Sequence, residues 1–341
     1  MNHRKLLIVG AFGTGNLGDD AILEGLLKMF AGDKSYRNNY VVVFSINPEE
    51  TRLVFKVNAR RRNLTDLLLS DEILIGGGEL IQDRKNMGAK YSFLGLLAKI
   101  LGKRVMFYAI GVSSTKSLIG RLLTRVSLNL ADEISVRDLS SKRRLKLLGV
   151  HREIKIAQDP ALELEPISAE SASRLLQAEG IVTRKSTRPF LLGLASQCLY
   201  DKKTNEKTHL FLLSIARRVL VRYKDTSIVY VPFWPSRDLP CGEWLDKQLN
   251  TESFKVFRRS VTPSEMLGLV RQLDLLISTR LHPLILASRA GVPSIGVSIF
   301  EKIEAFCFEH GVPYVEVGDI DRLSELVTEV VDSKLKKQTI G

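Results

Sequence analysis

An α/β protein built from two Rossmann-like domains facing each other across a cleft is what the sequence predicts. Three observations predict it. Apolar segments and amphipathic segments alternate almost throughout the 341 residues. The apolar segments are apolar at every position rather than at every second one, as expected of parallel strands covered on both faces. The series then breaks between residues 160 and 188 and starts again, which gives two βα runs of similar length. The boundaries read as 1–165 for the first domain, 166–188 for a connector, 189–331 for the second domain and 332–341 for a polar tail expected to fray. In glycosyltransferases this arrangement is called GT-B.

In order, Leu6 to Phe12 reads as the first strand and Asp19 to Phe30 as a helix, with Ile22, Leu23, Leu26, Leu27 and Phe30 on one face. Val41 to Ile46 is the next strand and Leu64 to Leu69 a short helix. Ile73 to Ile75 is a short strand running into Gly76-Gly77-Gly78, followed by helix Tyr91 to Leu101. Strands Val105 to Val112, Glu133 to Val136 and Ile154 to Ala157 alternate with helices Leu118 to Leu130 and Ser140 to Leu148. After helix Ala169 to Glu179 and a polar loop Thr183 to Arg188, the second series begins. Its strands are Phe190 to Ala195, Ile228 to Pro232, Phe254 to Phe257, Leu275 to Ser278, Ser294 to Ile299 and Tyr314 to Val317. A helix starting at Pro283 is stopped by Gly291 and Pro293.

The bulk numbers narrow the function only loosely. A formal charge of +12, from 50 basic against 38 acidic side chains, allows nucleic acid, an anionic membrane or a phosphorylated substrate. Cys198, Cys241 and Cys307 are odd in number and widely spaced, so they form no metal spacing and no disulfide framework, and a reducing cytosol fits them. The basic N-terminus runs into a short apolar stretch and a glycine loop, a first strand rather than a signal peptide. No window approaches the ~20 apolar residues of a membrane span.

Chemistry is expected where strands end. Asp274 to Gly311 delivers two successive strands to the same edge, the first followed by Thr279, Arg280 and His282 and the second by Glu301 and Lys302. Cations and an imidazole gathered there point to a small, strongly anionic ligand. In the first half, Gly13, Gly15 and Gly18 spell G-x-G-x-x-G between a strand and a helix. Two features argue against NAD: the second strand ends in Ser45-Ile46-Asn47 with no carboxylate for a ribose, and Asp19 and Asp20 occupy the helix start where a pyrophosphate would lie. Those carboxylates read equally as helix caps or as groups that hydrogen-bond or deprotonate a sugar hydroxyl. Gly76-Gly77-Gly78 permits close backbone approach to a ligand, with Gln82 and Asp83 close behind. Arg137 ends a strand and suits a carboxylate or phosphate, with an ion pair to Asp138 as the alternative. Asp159-Pro160 reads as a structural turn, and Phe233-Trp234 as either a stacking platform or packing.

Taken together, these residues resemble the polysaccharide pyruvyl transferase family. The resemblance runs from the Gly-Asn-Leu-Gly-Asp-Asp-Ala loop at 15–21 through Gly76-Gly77-Gly78 with Gln82-Asp83, Ser135-Val136-Arg137-Asp138, Asp159-Pro160 and Ser278-Thr279-Arg280-Leu281-His282 to Lys302 and Phe306. It implies a GT-B-like fold and transfer of pyruvyl from phosphoenolpyruvate onto two hydroxyls of one sugar, closing a cyclic ketal on a cell-surface glycan or its lipid-linked precursor. By the same resemblance Arg137, His282 and Lys302 match donor-contacting positions; the residues themselves add Arg280 as a helper in holding the anions. Asp19 matches an acidic position of the acceptor loop, where Asn16, Gly18, Gly77, Gly78, Gln82 and Asp83 complete the acceptor side. His282 and Asp19 are the catalytic pair of this reading. It needs phosphoenolpyruvate as co-substrate, no metal and no resident cofactor.

A second reading on the same fold is a glycosyltransferase taking a nucleotide sugar, with His282 and Lys302 on a diphosphate. A third, a nucleic-acid-binding protein, rests on the charge alone and lacks a basic helix or aromatic-studded sheet, so no nucleic-acid partner is expected. The pyruvyl-transfer reading places the protein in the cytoplasm. A lipid-linked acceptor would add a peripheral contact with the inner face of the membrane. The sequence carries no signal for oligomeric state.

Overall fold

Continuous apolar strands give two wholly parallel sheets. The structure, a computed structural model, describes residues 4–31, 40–83, 86–181, 190–199 and 201–340. The chain divides into two compact units, Met1–Leu164 and Glu165–Gly341. The polar loop expected at Thr183 to Arg188 lies outside the described residues.

In the first unit, strands β1 (Leu6–Val9), β2 (Val41–Phe44), β3 (Asn58–Arg60), β4 (Glu72–Ile81), β5 (Arg104–Val112), β6 (Glu133–Val136) and β7 (Lys155–Ile156) stand in the order β3-β2-β1-β4-β5-β6-β7. The crossovers are helices α1 (Leu17–Ala31), α2 (Pro48–Phe55), α3 (Leu64–Leu69), α4 (Met87–Ile100), α5 (Leu118–Leu130) and α6 (Leu139–Leu147), and a 3-10 turn (Pro160–Glu163) follows β7. Alternate residues of β1 feed opposite cores. Leu7 and Val9 pack with Ile75, Phe107 and Leu128, while Leu6 and Ile8 pack with Ile22, Leu26 and Val43. Each such buried Leu or Ile contributes about 1.5–3 kcal/mol of transfer free energy, which holds the central strands fixed beneath their loops.

The second unit repeats the plan. After α7 (Ala169–Ala178), strands β8 (Phe190–Ala195), β9 (Thr226–Tyr230), β10 (Phe254–Val256), β11 (Leu275–Ser278), β12 (Ser294–Ser298) and β13 (Tyr314–Glu316) stand in the order β10-β9-β8-β11-β12-β13, all parallel. The helices are α8 (Lys202–Arg222), α9 (Pro235–Leu249), α10 (Pro263–Val270), α11 (Leu281–Ala290), α12 (Glu301–His310) and α13 (Ile320–Ile340). In both units the strand order reverses once, between β1 and β4 and between β8 and β11, and such a reversal opens a ligand crevice at the carboxyl edge.

Several expectations are corrected. The triple glycine is not a loop after a short strand but part of β4. Pairing with β1 ends at Val9–Ile75, yet β5 is long enough to carry β4 on to Ile81, with a register shift between Gly78 and Ile81. The first strand stops at Val9, before the glycine loop. Helix α11 begins at Leu281 rather than Pro283, so His282 sits in its first turn. Three elements were not foreseen: α2, whose eight residues are opened by the Asn47 cap; β3, only three residues long; and α9, hidden by Pro235, Pro240 and Gly242. The residues read as a fraying tail continue α13 to Ile340.

Candidate functional site

At the reversal point of the first unit, the β1–α1 loop meets β4. Asn16 starts α1. Its carbonyl accepts from the amides of Asp19 and Asp20 at 3.0 and 3.1 Å, and its side-chain oxygen accepts from Gly18 N at 3.3 Å. The cap is therefore Asn16, and the two aspartates stand one step inside the first turn. Asn16 Nδ2 donates to Asp19 Oδ2 at 2.7 Å, which fixes that carboxylate beside β4. Gly77 and Gly78 have φ of +70° and +80°. A Cβ on Gly77 would lie 1.8 Å from Ile22 Cγ2, and one on Gly78 would lie 3.3 Å from Asp19 Oδ1. Glycine is thus required for α1 to approach the strand, and it leaves backbone facing the Asp19 carboxylate.

Of the two aspartates at the helix start, the sequence favours Asp19 for chemistry, yet the perturbed one is Asp20. Burial, and then the neighbouring charges of Asp19 and Glu50, push its carboxyl up from 3.8 to about 7, against a backbone hydrogen bond from Gly13. A carboxyl poised there can give or take a proton at neutral pH. The Asp-Asp pair behind a glycine loop was the visible signal; its burial was not.

Gln82 and Asp83 are engaged within the unit. Gln82 Nε2 donates to the Glu79 carbonyl at 2.6 Å. The Asp83 carboxylate accepts from the amides of Lys116 and Ser117, tying the end of β4 to the entry of α5. Glu79 is bridged in turn by the Ser113 hydroxyl.

Arg137 follows β6, two strands from the reversal point. It is buried, packs flat on Gly111, and lies 3.6 Å from Asp138 Oδ2 and 3.7 Å from Asp159 Oδ2. Asp138 also caps α6 through Ser141 N, and Asp159 caps the 3-10 turn through Ala161 N. Of the two alternatives for Arg137, the ion pair is the one present: its charge is shared with Asp138 and, beyond the expected partner, with Asp159.

The second unit presents the opposite character at its own reversal point. Ser278 closes the β11–α11 turn by accepting from Arg280 N at 2.9 Å and donating to the Arg280 carbonyl at 2.8 Å. The Arg280 guanidinium reaches the fully buried Asp238 of α9, whose carboxylate also accepts from the amides of Phe233 and Trp234 at 2.9 and 2.7 Å. Burial pushes the Asp238 carboxyl up while Arg280 and these amides pull it down. This clasp joins the β9–α9 turn to the β11–α11 turn, and it explains Asp238, which the sequence did not single out. Arg280 Nε is buried with no hydrogen-bond partner among the described residues. His282 stands two residues further on. Lys302 lies in the first turn of α12, which follows the neighbouring strand β12, with its ammonium 5.4 Å from the Phe300 ring centroid. Arg280, His282 and Lys302 therefore leave one sheet edge from adjacent strands.

A cavity of about 500 Å³ opens elsewhere in the first unit, lined by Asn47, Pro48, Glu49, Arg52, Arg60 and Arg61. Arg52 donates to the Ala59 carbonyl and Arg60 pairs with Asp66, so two of its three guanidinia also brace the fold. It contains none of the predicted site residues. Among the described residues no group of three or more His, Cys, Asp or Glu could hold a metal ion, and no helix is long and apolar enough to cross a membrane.

Comparison with known structures places this fold. Staphylococcus aureus MnaA, solved as a UDP co-structure, superposes with a TM-score of 0.68 at 12% identity, covering 96% of this chain and 88% of that one. Anabaena Alr3699/HepE, in complex with UDP-glucose, gives 0.62 at 15% identity over 98% and 91%. E. coli ADP-heptose lps heptosyltransferase II gives 0.57 at 14% identity over 97% and 99%. The architecture is thus two Rossmann-like sheets of the kind seen in GT-B glycosyltransferases and epimerases. No match to the chain is found among curated proteins. The family model for polysaccharide pyruvyl transferase matches residues 16–299, from the Asn16 cap through the β12 edge that precedes Lys302, and the chain belongs to that family.

Proposed function

We propose that the protein transfers pyruvyl from phosphoenolpyruvate to a pair of hydroxyls on one sugar, forming a cyclic ketal on a cell-surface polysaccharide or its lipid-linked precursor. The observation that carries this reading is the cationic edge of the second unit. Arg280, His282 and Lys302 leave adjacent strands, and the buried Arg280 Nε–H has a hydrogen bond still to give. A donor with a carboxylate and a phosphate matches such an edge. By the family resemblance, Arg137 of the first unit also matches a donor-contacting position.

In the proposed reaction His282 delivers a proton to the methylene carbon of phosphoenolpyruvate, which becomes a methyl group and leaves the adjacent carbon electrophilic. One sugar hydroxyl adds there and loses its proton to Asp19 or Asp20. The C–O bond to phosphate breaks, and the neighbouring hydroxyl closes the ketal as its proton leaves with phosphate. One phosphate is released per ketal. The aspartates suit the base role because one of them, Asp20, titrates near neutrality. General acid–base help of this kind is worth ~10²–10⁴-fold.

The test is to incubate the protein with phosphoenolpyruvate and a pyranoside acceptor and to follow phosphate release together with the mass of the sugar. Gain of the ketal mass, lost in His282→Ala, is expected. Phosphate release at the wild-type rate in that variant removes His282 from the mechanism. The UDP and UDP-glucose bound by two structural neighbours favour one second reading, a nucleotide-sugar glycosyltransferase. A thermal shift with UDP-sugars and none with phosphoenolpyruvate would select it.

A further inference from the structure

Helix α5 is built inside out. Its buried face is Gly120, Thr124 and Ser127, with Leu128 the one large apolar residue among them. The Thr124 hydroxyl meets the Ser92 hydroxyl of α4 at 3.0 Å, and a Cβ on Gly95 of α4 would lie 2.7 Å from Ser127 Oγ. Small residues thus set the α4–α5 contact. The large apolar residues of α5 point the other way: Leu118, Ile119 and Leu122 are 79%, 71% and 63% exposed, and Val126 and Leu130 continue the stripe. A surface helix normally turns its apolar stripe toward the core. This one spends about 20 Å of helix length presenting it to the outside. Phe93 and Ile100 of α4 are exposed as well, and so is Leu147 of α6. Ala98, Leu128 and Leu145 share one core cluster, so α4, α5 and α6 cover the same face of the sheet. An outward apolar stripe of this kind, with further exposed apolar residues on the same side of the sheet, marks an interaction site.

The charge around the stripe identifies what it meets. From Arg84 to Ala131 there is no Asp or Glu, while Lys90, Lys116, Arg121 and Arg125 lie on or beside the two helices. Asp132, just past α5, pairs with Lys99, but the other charges of this face are basic; an apolar centre with a mainly cationic surround is poorly suited to a second copy of itself, because isologous pairing would set like charges together. It is suited to a bilayer surface carrying anionic lipid, where leucines enter the acyl boundary and lysines and arginines meet the headgroups. The position fits. The entry of α5 at Lys116 and Ser117 is held by the Asp83 carboxylate, so the stripe begins at the sheet edge that carries Gly77, Gly78 and Asp19.

We propose that the outward stripe of α5, flanked by α4 and α6, is a docking surface for an anionic membrane. It presents the acceptor edge of the first unit to a glycan carried on lipid, and in that respect it rests on the function proposed above.

Sedimentation of the full chain with vesicles of phosphatidylcholine, with and without 30% phosphatidylglycerol, tests it. Binding to the anionic vesicles, weakened by salt and absent from pure phosphatidylcholine, is expected. Arg121→Ala with Arg125→Ala should weaken it roughly 25-fold, about fivefold per cation. Leu122→Asp, a change at an exposed position, should abolish it. Lys202→Ala with Lys203→Ala, which removes the same charge from the second unit, should leave it intact. No anionic-vesicle binding, or equal losses in the two double variants, overturns the proposal. So does light scattering that shows an oligomer dissolved by Leu122→Asp, since the stripe would then be a contact between copies. Phosphate release from phosphoenolpyruvate with a water-soluble acceptor should be unchanged in all these variants. Failure of that release in the wild type, with vesicle binding intact, would sink the ketal reading and leave the dock standing.

Discussion

The two sheets share a topology but not a chemistry. At the reversal point of the first unit, glycines and two aspartates come together: Gly77 and Gly78 open the backbone, Asn16 holds the Asp19 carboxylate, and Asp20 is pushed toward neutrality by burial. At the corresponding point of the second unit, Arg280 is clasped by a buried Asp238 beside His282, and Lys302 follows the next strand. The same strand order thus presents carboxylates in one unit and basic side chains in the other. The lesson is that the fold supplies the edge and the loop residues supply the function.

Four variants sharpen or break this contrast. The largest effect is expected from His282→Ala, which should lower the rate of phosphate release from phosphoenolpyruvate by ~10²–10⁴-fold, measured at saturating acceptor. Next is Asp238→Ala. It strands the buried Arg280 guanidinium and should destabilise the protein by about 3–5 kcal/mol in urea melts; an unchanged midpoint would mean the clasp is incidental. Asp20→Asn follows, with a pH signature. The folded carboxyl titrates at about 7 against an ordinary 3.8, so its contribution is fully present below about 4 and is lost as pH rises through 7. The uncharged variant should match wild type at pH 4 and be more stable by about 2–4 kcal/mol at pH 8. Equal stabilities at both pH values would contradict the burial argument. The smallest effect is expected from Gln82→Ala. Its amide serves the Glu79 carbonyl, so the loss should be about 1 kcal/mol of stability, and a large rise in acceptor KM would show instead that it touches the sugar.

Much of this was legible in the sequence because buried parallel strands are apolar at every position, and because strand ends carry polar clusters. Strand Leu275–Ser278 was read with its observed bounds, and the two-series architecture with it. What escaped was set by tertiary contacts. Helix α9 contains two prolines and a glycine and reads as a loop; the structure anchors it through Asp238, whose partner Arg280 is 42 residues away. The glycines of β4 read as a ligand-facing loop after a short strand, because only the unusual length of β5 keeps them in the sheet. Asp20 looked like a cap, because nothing local reveals that Asn16 already does that work.

Central to the proposed function is that the cationic edge of the second unit takes phosphoenolpyruvate. Calorimetric titration of wild type and Lys302→Ala with phosphoenolpyruvate and with UDP measures this. The wild type should bind phosphoenolpyruvate and the variant should bind it about tenfold more weakly, a change of about 1.4 kcal/mol. A wild-type protein that binds UDP and shows no heat with phosphoenolpyruvate would contradict it.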